Sequence, residues 1–291
     1  MPELPEVETV RRGLQQQTTG LHIAAVVVHR ARAIAAPPDA TAFAKALQGS
    51  VVLGWSRRGK YLLASLARHP VDRSAPASGG HWGVHLRMTG QFLWIDGPDR
   101  GAKPPCSHTR VQIVAASGAE LRFVDTRSFG QMWWVPPGQA PETVITGLTR
   151  LGPEPFSETF NAAYLEAKLS GSRRPIKNAL LDQALVAGVG NIYADESLFA
   201  AGIRPHTPSG QLSAAQLETL HRSLVEVLEV SIGAGGTTFS DFRDLSGTNG
   251  NYGGVAWVYR RGGQPCRRCS TLIERTTLGG RSSHWCPTCQ H

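Results

Sequence analysis

An α+β chain of two domains is predicted by three features of the sequence. Between Leu21 and Val135 the apolar residues recur mostly with period two, the mark of half-buried strands; beyond Pro155 the period becomes helical; and the chain closes on two C-x-x-C pairs. Its 291 residues exceed the size at which one core stops growing. A composition of 41% hydrophobic and 18% charged residues excludes a mainly disordered chain. No apolar run approaches the ~20 residues of a membrane helix. The acidic opening Met1-Pro2-Glu3-Leu4-Pro5-Glu6 lacks the basic start of an export signal, so a soluble, cytoplasmic protein is expected.

The opening reads as a helix. Pro5 suits its first turn, Glu6 and Glu8 answer its positive end, and Val7, Val10 and Leu14 share one face. Short strand-like segments follow at Ile23–Val28, Val51–Trp55, Tyr61–Leu66, Gln91–Ile95, Val111–Ala115 and Leu121–Asp125, enough to suggest a β-sandwich. Gly59, Thr89-Gly90 and Ser117-Gly118 mark turns between them. Asp39 to Gln48 interrupts as a short helix, and residues 69–80, with two prolines and two glycines, read as an exposed loop. Five prolines and three glycines make 136–155 a linker. Ser157 is expected to cap a helix running to about Leu169, and Ser213-x-x-Gln216 is a capping box that opens a longer one. Between them, Gly188-Val189-Gly190-Asn191 joins two helical segments, a unit that sometimes binds nucleic acid and more often is purely structural. The domains expected are a sandwich over 1–135, the linker 136–155, a helical domain over 156–236, a connecting loop over 237–259 and a terminal module over 260–291.

Charge and cysteines narrow the function. Thirty cations against twenty-two anions give +8, and +5 of that lies in residues 257–291, where six arginines face one glutamate. Clustered positive charge suits a polyanion partner. Cys266, Cys269, Cys286 and Cys289 have the spacing of a ribbon in which two knuckles each give two thiolates to a tetrahedral zinc ion. An intracellular chain disfavours the alternative of two disulfides, and a redox dithiol would not be doubled. One structural Zn²⁺ per chain is therefore expected, because four thiolates leave no open position. Cys106 stands alone and reads as an inert thiol.

Five blocks in order resemble the formamidopyrimidine-DNA glycosylases, bacterial repair enzymes for oxidised guanine. They are Met1-Pro2-Glu3-Leu4-Pro5-Glu6-Val7-Glu8-Thr9-Val10, Arg57-Arg58-Gly59-Lys60-Tyr61, Asp125-Thr126-Arg127-Ser128-Phe129-Gly130, Gly188-Val189-Gly190-Asn191-Ile192-Tyr193-Ala194, and the four-cysteine ribbon. Removal of Met1 would free the amine of Pro2, whose reference pKa of ~7.7–8 leaves much of it unprotonated and nucleophilic near neutrality. The resemblance makes Pro2 the nucleophile, Glu3 the general acid/base and Glu6 a support for the N-terminus. Without it, both glutamates would merely answer the helix dipole. It likewise implies that Lys60, His108, Arg127, Asn191 and Arg281 meet DNA, in a helix–two-turns–helix unit and a zinc hairpin. Met88, Arg127 and Phe129 would fill the gap left by an extruded base; from pattern alone, Met88 and Phe129 read as core.

The chain departs from the family pattern at three places: Ser107 and Ser240 stand where many or some relatives carry Lys, and Arg260 replaces a usual Gly. These bear on base preference. The implied activity is that of a monomeric bifunctional glycosylase and abasic-site lyase. It would act by β,δ-elimination on double-stranded DNA containing oxidised purines, 8-oxoguanine and formamidopyrimidines. Two rivals stand beside it. An endonuclease VIII-like enzyme for oxidised pyrimidines typically begins Pro-Glu-Gly-Pro, unlike Pro2-Glu3-Leu4-Pro5; a non-catalytic zinc-ribbon DNA-binding protein would not need Pro2, Glu3 and Lys60.

Overall fold

The computed structural model describes residues 1–68, 78–97, 104–237 and 254–291. These form two compact units: one comprises Met1–Pro2, Glu6–Thr149 and the stretch from Thr237, the other Glu3–Pro5, Arg150–Gly236 and the C-terminal segment.

In the first unit two sheets share one core. Strands β1 (Ile23–Val28), β7 (Thr109–Ala115), β8 (Glu120–Asp125) and β6 (Gly90–Ile95) pair antiparallel in the order β1-β7-β8-β6. The second sheet runs β2 (Ile34–Ala36), β9 (Gln131–Val135), β5 (Gly80–His85), β4 (Tyr61–Arg68) and β3 (Ser50–Arg58), antiparallel except for β2 on β9. Their inner faces meet in an aromatic column. Trp55 and Trp82 of one sheet lie 5.2 Å apart by ring centroid, Trp82 lies 6.0 Å from Phe92 of the other, and Phe92 lies 5.3 Å from Phe123. Such pairs add about 0.5–1.5 kcal/mol each beyond the area they bury. Val7, Val10 and Leu14 of helix α1 (Leu4–Thr18), with Phe43 and Leu47 of α2 (Ala40–Leu47), complete this core.

The six segments read as strands are all strands, and β2, β5 and β9 add to them. Two histidines and two glycines weaken the sequence signal of β5. Gly83 nevertheless belongs there, because a Cβ at that position would come within 2.4 Å of the Ile145 side chain. Gly80, read as loop, begins this strand, and residues 69–77 of that loop lie outside the described residues.

The second unit is helical: α4 (Ala162–Leu169), α5 (Ile176–Leu180), α6 (Asn191–Ala200) and α7 (Ala214–Gly233), followed by a hairpin of β10 (Glu274–Leu278) and β11 (Arg281–Trp285). The capping box at Ser213 and Gln216 is present in both directions. Ser157 does not cap α4; Asn161 does, its side chain accepting from the Tyr164 amide at 2.9 Å, while the Ser157 hydroxyl turns back to donate to the Glu154 carbonyl. Within the segment read as linker, α3 (Pro141–Val144) forms in the first unit, and a 3₁₀ turn over Thr146–Arg150 ends on the first residue of the stretch Arg150–Gly236. Most of the loop expected over 237–259, including Ser240, lies outside the described residues. Among those described, no helix is long and apolar enough to cross a membrane.

Candidate active site

In the first unit β3 and β4 pair until Arg58 faces Tyr61, leaving Gly59-Lys60 as a two-residue turn. Lys60 is not the solvated turn residue its setting suggests: it is only 6% exposed. Nearby lies His85, whose ring packs edge-on to Tyr61 at 4.6 Å. Burial first, then the charges of Arg87 and Lys60, push His85 down to about 3. Its ring is therefore neutral at physiological pH, and Nδ1 accepts from the Arg87 amide at 3.0 Å. Pro2 is buried, and the buried Glu6 carboxylate accepts from the Thr237 amide at 2.8 Å.

Two turns present the residues assigned to gap filling. Arg87 and Ser128 both hold positive φ, 56° and 55°, a region that non-glycine residues avoid unless their surroundings impose it. The constraint is the buried Asp125 carboxylate, which accepts from the Thr89 hydroxyl, from the Arg127 amide at 3.2 Å and from the Gly130 amide at 2.7 Å. It ties the loop carrying Met88 to the loop carrying Arg127 and Phe129. Phe129 is 39% exposed and so is not core; Met88 is half-buried. Both line a pocket of about 400 Å³ with Met1, Arg32 and Arg87. The Arg127 guanidinium lies 4.9 Å from the Phe129 ring centre, and that of Arg32 5.7 Å. The exposed His108 accepts from Arg110, which also donates to the Asp125 carbonyl at 2.8 Å.

In the second unit Glu3 meets the start of α6. Its carboxylate accepts from the Ile192 amide at 2.9 Å and, more weakly, from the Tyr193 amide at 3.4 Å. Glu3, placed just before α1, thus meets the start of a second helix. Asn191 opens α6 and donates weakly to the Ser282 hydroxyl at 3.4 Å, beside the exposed Arg281. Gly279 and Gly280, at φ 54° and 75°, form the tight hairpin turn that carries Arg281. That hairpin is locked from below. Asp195 of α6 receives the fully buried Lys177 ammonium at 2.7 Å and the His284 amide at 2.9 Å, and Lys177 also donates to the Ser282 carbonyl at 2.6 Å. Burial pulls Lys177 below its ordinary value and Asp195 opposes that pull. Glu196, raised by burial and held back by three amides, accepts from Trp257, Val258 and Tyr259 and fixes the approach to the cysteines.

The four cysteine sulfurs lie within 4.8 Å of one another, with Cys266 to Cys289 at 3.9 Å and Cys269 to Cys286 at 3.5 Å. A disulfide needs about 2.05 Å. Four sulfurs around one tetrahedral ion at ~2.3 Å stand about 3.8 Å apart, so these residues fit such a metal site.

Comparison with known proteins agrees along the whole chain. Residues 1–132 match the formamidopyrimidine-DNA glycosylase N-terminal domain, 151–243 the H2TH domain of the same enzymes, and 263–291 the zinc finger found in FPG and IleRS. A formamidopyrimidine-DNA glycosylase of Prochlorococcus marinus strain MIT 9313 is 65% identical over 294 residues, covering 100% of both chains. The chain belongs to the formamidopyrimidine-DNA glycosylase family. The enzyme named in the same way from Parasynechococcus marenigrum strain WH8102 is 64% identical, again over 100% of both chains. Among solved structures, a Lactococcus lactis Fpg mutant in complex with DNA containing Fapy-dG superposes with a TM-score of 0.86 at 32% identity over 100% of both chains. The Fpg protein of Thermus thermophilus superposes at 0.83 with 39% identity, covering 99% of this chain and 98% of its own.

Residues that pattern reading passed over now stand out: His85, Asp125, Lys177, Asp195 and Glu196. All are buried polar groups whose partners are distant in sequence or lie on the backbone, so no spacing announces them. Asp125→Ala is expected to cost about 1–3 kcal/mol by leaving buried donors unpaired, whereas Phe129→Ala should stay within roughly 0.5 kcal/mol of wild type. Thermal denaturation checks both; a large loss for Phe129→Ala would return that ring to the core.

Proposed function

We propose that this protein is a bifunctional DNA glycosylase that excises oxidised purines from duplex DNA and then cleaves the abasic site by β,δ-elimination. After removal of Met1, the Pro2 nitrogen attacks C1′ of the damaged nucleotide, the glycosidic bond breaks, and the base leaves. Opening of the sugar ring yields a Schiff base on Pro2. Glu3 carries the protons for ring opening and base loss. Lys60, Asn191 and Arg281 bind phosphates, His108 also meets the DNA, and Met88, Arg127 and Phe129 occupy the space of the extruded nucleotide. The four cysteines hold one structural zinc ion, which rigidifies the hairpin bearing Arg281. The protein works as a cytoplasmic monomer.

One observation carries this reading over a DNA-binding scaffold without chemistry. Glu3 is buried with its carboxylate fixed by backbone donors of another helix, an arrangement for which helix capping at α1 gives no reason. The purine preference rests on the Leu4 that follows Pro2-Glu3 and on the family match. A Lactococcus lactis relative has also been solved with DNA containing an oxidised pyrimidine, so both lesion types belong in the assay.

Borohydride should trap a covalent adduct between the protein and duplex containing 8-oxoguanine, mapping to Pro2. Glu3→Gln should lose base excision by about 10²–10⁴-fold while still binding DNA and cleaving a ready-made abasic site far better than it excises. An adduct on Lys60, or full excision by protein that retains Met1, would overturn the mechanism.

Metal analysis should give one zinc per chain, with chelation disordering 260–291 and leaving the sandwich folded. Well under one equivalent in active protein contradicts this.

A further inference from the structure

The seat of Glu3 is made by a missing side chain. Helix α6 begins at Asn191 with Gly190 as its N-cap, and no side chain of Gly190 can satisfy the first amides. Ser, Thr, Asp or Asn is the ordinary choice at such a position. Nor does the backbone require glycine: Gly190 sits at φ −137° and ψ −160°, extended values open to any residue. What excludes a side chain is Glu3. A Cβ at Gly190 would fall 2.3 Å from Glu3 Cδ, 2.5 Å from Oε1 and 2.7 Å from Cγ.

A second glycine two residues earlier in the same loop shapes the other half of the seat. Gly188 holds φ +91°, where side chains are strained, and a Cβ there would lie 2.7 Å from the Leu4 side chain. Its carbonyl accepts from the Leu4 amide at 3.0 Å. Glu3 and Leu4 thus lie in a groove left open by two glycines, with the Glu3 carboxylate on Ile192 and the backbone after it on Gly188. All these residues belong to the same compact unit.

We infer that Gly190 is a positioning residue for Glu3: its lack of a side chain lets the carboxylate cap α6 and fixes where the proton carrier stands. This rests on the role proposed for Glu3 above. An alanine at 190 would press on the carboxyl group itself, and displacements of about 1 Å at a reacting group can cost about 10²-fold.

The test is Gly190→Ala in the full-length, metal-replete protein. Single-turnover excision of 8-oxoguanine should fall about 10²-fold, with duplex affinity, melting temperature and cleavage of a pre-formed abasic site near wild type. A crystal structure of the variant should show Glu3 withdrawn beyond hydrogen-bond distance of the Ile192 amide. Alanine at position 3 lacks the Cγ, Cδ and carboxylate oxygens that meet the new methyl, so Gly190→Ala added to Glu3→Ala should cost little beyond Glu3→Ala alone. Wild-type excision by Gly190→Ala, losses that multiply in the double variant, or a carboxylate still on Ile192 would each overturn the inference. If the wild-type protein itself failed to excise the base, the functional reading would fall and the crystal structure would still decide the seat.

Discussion

The hydrogen bonds from the α6 amides to the Glu3 carboxylate are the constraint from which the arrangement of the second unit follows. A helix start has free N–H groups that must find acceptors. In α6 the acceptor is supplied from 189 residues earlier in the chain rather than by the N-cap. That single substitution of partners has several consequences. It requires a glycine where a polar cap would normally sit, it fixes the chain around Glu3, and it leaves the Asn191 side chain free to turn toward Ser282 and the hairpin.

The middle of α6 carries the carboxylate that holds the hairpin. Lys177, Asp195 and His284 are buried together, and such a group contributes little net stability compared with an apolar replacement. Its effect is geometric: Asp195 bonds the backbone of β11 and Lys177 bonds the Ser282 carbonyl, so Arg281 emerges at a fixed register relative to α6. Asp125 does the corresponding work in the sandwich unit, where one carboxylate binds two loops and sustains a left-handed Ser128 beside Phe129. In both units a buried carboxylate positions exposed residues that could not hold themselves.

How much of this the sequence announces depends on the range of each interaction. Period-two segments and the paired C-x-x-C motifs are local signals, and they correspond to the sandwich strands and to the clustered sulfurs. The Ser213 capping box is equally local. Ser157 misled because either it or Asn161 could cap the following helix, and only the path of the turn decides between them. Lys60 and Phe129 show opposite failures of pattern: the cation in a turn is buried, and the aromatic among strands is exposed. Asp195 and Glu196 sit in a helix whose sequence reads as ordinary, because their partners at 257–259 and 283–284 lie more than sixty residues away.

Glu3 is the acceptor on which the first amides of α6 depend. Site-resolved amide hydrogen exchange on the folded protein measures this without reference to activity. In the wild-type protein the Ile192 amide should be strongly protected and that of Tyr193 somewhat less. In Glu3→Ala both should exchange markedly faster, while amides deeper in α6, such as Leu198, keep their protection. Unchanged protection of Ile192 and Tyr193 in Glu3→Ala would mean that something other than Glu3 caps the helix.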